Sequence, residues 1–253
     1  MHILLTNDDS HDSPLFLLAI EILKGLGDVT IVVPAQEQSW QGKSMTRYGG
    51  VAVSDIELAG TPAYAVTGTP ADCVNIGLYN LLSTVPDIVV SGVNLGFNTG
   101  LGFLMASGTV GACFEANIAG LPGLALSQEI TLEDHRRWDQ ERCFDALSLA
   151  EMRRNLETAI PTVWQQLVLG RERQPTTWSV NLPRHLARAE VVHSRLGHTF
   201  YGQAFVQRGE LYHHQLARFP MDADPDTDYM VVRQGLISAV HLDMRVLGQA
   251  FEH

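Results

Sequence analysis

The sequence has few cysteines, a shortage of basic residues and no long apolar run. Its three cysteines, Cys73, Cys113 and Cys143, include no C-x-x-C pair, so neither a disulfide framework nor a zinc ribbon is indicated. No uninterrupted apolar segment approaches the roughly 18 residues that suggest a membrane span. Two Asp interrupt the N-terminus where a signal peptide would still be apolar. We therefore expect a cytoplasmic protein with no membrane partner.

The charge balance narrows the choice of partners. Lys and Arg number 17 against 28 Asp and Glu, which gives a formal net charge of -11. Binding to a nucleic-acid duplex needs a basic surface, so no such partner is expected. A nucleotide or phosphate ligand is still compatible with this acidity, because a bound metal ion reverses the local field. With 253 residues, 45% of them hydrophobic, the chain can bury a sizeable core.

Strand and helix signals alternate in the first part of the chain. Residues 2–6 and 29–33 are short apolar runs, and Ser13-Pro14 between them supplies the N-cap and first-turn residues of a helix. Such a βαβ unit pairs its strands in parallel. A further buried strand at 87–91 continues the pattern. The sequence predicts an α/β fold with a doubly wound, mostly parallel sheet.

The second part of the chain has a different pattern. Polar and apolar residues alternate with the period of a helix over residues 132–169, and Pro161 interrupts this pattern. Short strands are predicted beyond Pro175, at 177–181, 190–195, 200–207 and 211–215, followed by a surface loop at 219–228. We expect residues 1–175 to form the α/β core. Residues 176–253 would be a β-rich extension of the same structural domain.

Polar side chains directly follow three predicted strands. The polar segments are Asn7-Asp8-Asp9, the loop that contains Ser39, and Ser91-Gly92-Val93-Asn94. Ligands of open parallel sheets bind beyond the carboxyl ends of the strands. Carboxylate, hydroxyl and amide oxygens suit Mg²⁺ or Mn²⁺. A bare turn with a helix cap would explain Asn-Asp-Asp equally well.

A glycine-rich stretch leads into the next predicted helix, at 107–119. Six glycines fall within residues 92–111, and the stretch ends in Ser107-Gly108-Thr109. Free backbone N–H groups and the helix dipole make such a start an anion site, although a plain capped helix has the same residues. The P-loop and dinucleotide fingerprints are both missing, which disfavours a Rossmann-like oxidoreductase.

Taken together, these clusters resemble the SurE (survival protein E) family of metal-dependent phosphatases, often called 5′/3′-nucleotidases. The segments that carry the resemblance follow the family's order over nearly the whole chain: LLTNDD (4–9), GTPADCV (68–74), SGVNLGFNTG (91–100) and SGTVGA (107–112). The resemblance implies a Rossmann-like sheet and one divalent metal, Mg²⁺ or Mn²⁺, per subunit. It also implies a homodimer or homotetramer in which the β-rich extension reaches a neighbour.

The resemblance also implies which residues form the site. The positions that match metal ligands are Asp8, Asp9, Ser39 and Asn94, and those that match the phosphate site are Asn98, Ser107, Gly108 and Thr109. Asp8 or Asp9 is the candidate catalytic base, and the sequence does not choose between them. The predicted reaction is hydrolysis of a nucleoside monophosphate to nucleoside and phosphate.

Four residues depart from the family pattern. Ser10 and Trp40 stand where the family usually has Gly, Gly102 where it has Asp, and Ala106 where it has Tyr. Trp40 either stacks on a base, blocks the site, or lies elsewhere on the surface or in a dimer contact. The departures leave a second hypothesis open, a member that binds a nucleotide or partner without turnover. His213-His214 is far in sequence from the Asp pair and is expected to be solvated.

Overall fold

The strands and helices of the computed structural model, which describes residues 1–215 and 220–247, alternate along most of the chain. Part of the predicted 219–228 loop and the end of the predicted extension lie outside the described residues. The strands are β1 (His2–Thr6), β2 (Asp28–Pro34), β3 (Val53–Leu58), β4 (Thr61–Val66), β5 (Ile88–Leu95), β6 (Gly123–Gln128), β7 (Thr177–Leu182), β8 (Val191–His193), β9 (Phe205–Arg208), β10 (Leu211–His214) and β11 (Ile237–Leu242). The helices are α1 (Pro14–Leu23), α2 (Pro70–Ile76), α3 (Gly100–Ala106), α4 (Gly108–Ile118), α5 (Leu132–Glu141), α6 (Ala146–Val163) and α7 (Asp228–Arg233).

Nine of these strands form one sheet in the order β3-β4-β2-β1-β5-β6-β7-β11-β8. The run from β4 to β7 is parallel throughout, whereas β3 and β11 pair antiparallel with their neighbours β4 and β7. This mostly parallel sheet confirms the predicted α/β fold class. Strands β9 and β10 form a separate antiparallel hairpin.

Helices cover both faces of the sheet, as the buried runs of its strands require. Ile3 and Leu5 of β1 pack in a core cluster with residues of α1 and α6. Leu4 between them points to the other face and clusters with residues of α2 and α4, because successive strand residues alternate faces. The sheet is therefore doubly wound.

The structure corrects one predicted boundary. Pro161 does not interrupt the helical segment, because it lies inside α6. The helix continues into a π turn at Trp164–Val168, where the N–H of Trp164 bonds to the carbonyls of Ile160 and Pro161. The actual break is at Arg142, which has a left-handed φ of 54° and follows α5.

Some strands beyond residue 175 join the main sheet, and others form an exposed hairpin. β7 and β11 pair with each other inside the nine-stranded sheet, and the hairpin β9–β10 is exposed along its length. Among the described residues, no single helix is long and apolar enough to cross a membrane. Only α3 and α4 taken together reach that composition, and they meet at a 70° bend.

Candidate active site

A cavity of about 590 Å³ lies at the carboxyl ends of the parallel strands. β1 is flanked by β2 on one side and β5 on the other, so the chain reverses its direction of winding there. Ligands of doubly wound sheets bind at such a switch point. Six of the eight predicted site residues line the cavity: Asp8, Asp9, Ser39, Asn94, Asn98 and Ser107.

Two buried carboxylates form the floor of this cavity. Asp8 Oδ1 accepts a hydrogen bond of 2.5 Å from the Thr109 hydroxyl, and Asp9 Oδ2 accepts one of 2.8 Å from the backbone N–H of Leu95. Burial raises the pKa of both carboxyls well above the usual range of Asp, and the charge of Asp8 raises that of Asp9 further. Two adjacent acids in this environment favour a positive charge beside them.

The remaining donors suit a hard divalent cation. Asn94 Nδ2 donates to the carbonyl oxygen of Gly96 at 2.8 Å, which leaves its amide oxygen as the acceptor. Ser39 is exposed and donates to Glu37 Oε1 at 2.7 Å. Within the described part of the chain, no group of three or more His, Cys, Asp or Glu converges as a metal site. Carboxylate, amide and hydroxyl oxygens are the donor types that hard divalent cations prefer.

The predicted phosphate-site residues divide into two groups. Asn98 is buried, and its Nδ2 donates to Ser127 Oγ at 2.9 Å, while Ser107 caps α4 by accepting from the N–H of Val110 at 3.2 Å. Gly108 and Thr109, the first two residues of α4, lie against Asp8. A Cβ at Gly108 would come within 2.9 Å of the Asp8 Cβ. The N-terminal end of α4 thus borders the carboxylate pair.

Two of the four departures from the family pattern share an unusual backbone conformation. Ser10 has a φ of 72° and Trp40 a φ of 64°. Glycine adopts this left-handed region freely, whereas a residue with a side chain pays about 1 kcal/mol to do so. The chain therefore keeps the conformation of a glycine at both positions while carrying a side chain there.

Sequence reasoning missed contacts that the fold makes at the cavity and beside it. His214 is exposed, as expected, but it also lines the cavity, where its ring lies 4.7 Å from that of Trp40. Gly102 makes room for the extension, because a Cβ there would overlap the ring of Tyr201 and lie 3.0 Å from Thr199 Cβ. No local pattern reveals these contacts, because they join residues between 97 and 174 positions apart in the chain.

The fold and the site define an α/β protein with an acidic, oxygen-lined cavity beside a helix N-terminus at its switch point. The family model described as "Survival protein SurE" matches residues 3–203. This chain belongs to the SurE family.

Individual relatives are similar over most of their length. The 5′-nucleotidase SurE of Methanothermobacter thermautotrophicus is 35% identical over 237 residues, which cover 91% of this chain and 86% of the relative. That of Geobacter sulfurreducens is 35% identical over 254 residues, covering 96% and 89%. The crystal structure of the SurE protein from Aquifex aeolicus superposes with a TM-score of 0.72 at 25% identity, covering 98% of this chain and 95% of that one.

Proposed function

We propose that this protein is a metal-dependent phosphomonoesterase that hydrolyses nucleoside monophosphates to nucleoside and phosphate. Its curated relatives are 5′-nucleotidases over nearly its whole length, and the chain is accordingly a hydrolase of phosphoric monoesters. The observation that carries the proposal is the pair Asp8 and Asp9, both buried, in one cavity with Ser39 and Asn94.

The mechanism assigns each group a role. Asp8, Asp9, Ser39 and Asn94 would hold the cation, which, when bound, polarises the phosphoryl oxygens and lowers the pKa of a water. One carboxylate of the pair accepts the proton of the attacking water. The Thr109 hydroxyl fixes the orientation of Asp8 through its hydrogen bond. Asn98, Ser107 and the N-terminal end of α4 face the negative charge of the phosphoryl group.

Metal removal tests the proposal directly. Protein stripped with a chelator is expected to release no phosphate from AMP, and added Mn²⁺ or Mg²⁺ is expected to restore release, because two adjacent carboxylates alone repel an anionic ester. Phosphate release is measured colorimetrically after dialysis, with Ca²⁺ and Zn²⁺ as comparison metals.

Two outcomes would count against this function. Undiminished release from the stripped protein would remove the metal from the mechanism. Saturable AMP binding without release at every metal would instead favour a member that binds nucleotide without turnover, which the departures at Ser10 and Trp40 make a specific second candidate.

The proposal includes assembly into a homodimer or homotetramer through the C-terminal extension. Leu211 and Tyr212 of the hairpin are largely exposed apolar side chains, and such surfaces mark association sites. The double change Leu211→Glu and Tyr212→Glu is expected to lower the mass measured by light scattering at micromolar concentration. Leu147→Glu, on the exposed side of α6, serves as the control. A monomeric wild type would contradict the assembly.

A further inference from the structure

Aromatic side chains from three separate segments meet on one side of the cavity. The Trp40 ring lies 5.8 Å from that of Phe103 and 4.7 Å from that of His214, and Phe103 lies 6.3 Å from Phe97. Tyr201 contacts two of these rings, at 6.1 Å from Phe103 and 6.5 Å from Trp40. We call these five residues the aromatic wall. All the contacts are edge-to-face or tilted, the geometry that aromatic rings favour.

The aromatic wall belongs to the same cavity as the carboxylates. Trp40, Phe97, Phe103 and His214 line it together with Asp8 and Asp9. Trp40 directly follows Ser39, and 44% of its surface is exposed despite its ring contacts. A volume of about 590 Å³ is in the range of pockets that hold a nucleotide-sized ligand. One compartment therefore has an acidic, oxygen-lined end and an aromatic side.

The backbone at Trp40 is in the left-handed region. A φ of 64° is less favourable for tryptophan than for glycine, and residues in such conformations cluster at binding sites. Burial in the core would offset the unfavourable backbone energy of a tryptophan, but the indole of Trp40 keeps nearly half of its surface open to the cavity and solvent.

We propose that Trp40 is a specificity-determining residue whose indole, held by the aromatic wall, stacks on the nucleobase of the substrate. The inference rests on the proposed function and deepens it. It predicts a preference for phosphomonoesters that carry an aromatic base over those that carry a sugar alone. Stacking is tolerant of base identity because every base has a π face, so the preference extends to all nucleoside monophosphates.

The test compares two esters that differ in the base. For Trp40→Gly, kcat/KM for AMP is expected to fall at least about fivefold, the lower end of what one lost base–aromatic stack costs, while kcat/KM for ribose 5-phosphate stays unchanged. Trp40→Phe is expected to keep most of the preference. Tyr48→Gly, an exposed aromatic in the same loop, is the matched control and leaves both esters unchanged.

A binding measurement separates this inference from the catalytic proposal. Calorimetry with adenosine, which carries no phosphate, is expected to give a Kd at least about fivefold weaker for Trp40→Gly than for wild type. If the wild type released no phosphate, the proposed function would fail and the adenosine result would still decide the role of Trp40. Equal losses for AMP and ribose 5-phosphate, unchanged adenosine binding, or faster turnover in Trp40→Gly would overturn the inference, the last by showing that the indole blocks the site.

Discussion

Asp9→Asn is expected to reduce phosphate release from AMP about a thousandfold, and Asp8→Asn is expected to do the same. Each change is nearly isosteric and keeps an oxygen that accepts from Leu95 N–H or from the Thr109 hydroxyl. The loss therefore reports the missing charge, which in the proposed function serves as a cation ligand and as a proton acceptor worth about 10²- to 10⁴-fold. The measurement is kcat/KM at saturating Mn²⁺.

The same variants are expected to unfold at a higher temperature when no metal is present. Burial raises the pKa of both carboxyls in the folded state, so an ionised pair lowers the free energy of unfolding at pH 7 and an amide removes that cost. A gain of about 1 kcal/mol would raise Tm by about 2–4 °C. Asp55→Asn, on exposed β3, is the control for both measurements. Loss of activity together with a lower metal-free Tm would indicate misfolding rather than a lost charge.

Gly111→Ala is expected to destabilise the protein by about 2 kcal/mol, in the range of overpacking a tight contact, and to lower phosphate release. A Cβ at Gly111 in α4 would overlap the carbonyl oxygen of Gly42 and lie 2.6 Å from its carbonyl carbon and 2.8 Å from the N of Lys43. These are backbone atoms, which cannot rotate away. The loop they belong to carries Ser39, so its displacement moves a proposed cation ligand.

Whether Gly111→Ala raises or lowers the free energy of unfolding distinguishes a packed loop from a free one. Alanine is a better helix former than glycine by about 1 kcal/mol, so Gly111→Ala would stabilise α4 if the loop did not press against it. Gly50→Ala, where a Cβ would meet nothing within 4 Å, is the matched control. Chemical denaturation gives the free energy of unfolding for each. A Gly111→Ala protein as stable as wild type would show that the loop is not packed there.

Apolar runs and helix-start residues predicted the central strands and helices, because each such pattern indicates one element and the face that it buries. Ser13-Pro14 does precede α1, and the apolar run at 29–33 lies within β2. The break predicted at Pro161 was wrong because a proline destabilises a helix only locally. Burial of its neighbours Ile160, Val163 and Trp164 in the core stabilises the helix across it. Helix α7 and strand β11, with six residues each, were not predicted, because so short an element shows little periodicity.

The acidic end of the cavity follows from sequence patterns alone. Asp8 and Asp9 come after β1, Asn94 is the penultimate residue of β5, and the carboxyl ends of parallel strands share one edge of a sheet. The aromatic side of the cavity depends instead on tertiary packing. Trp40 and Phe103 are 63 residues apart along the chain, and Phe103 and His214 are 111 residues apart. They meet because Gly102 leaves room for the ring of Tyr201. The C-terminal extension is also held against the glycine-rich stretch by a hydrogen bond of 2.7 Å from Gly100 N–H to Asp228. Contacts of that kind depend on side-chain volume and backbone angle in three dimensions, and no pattern along the chain encodes them.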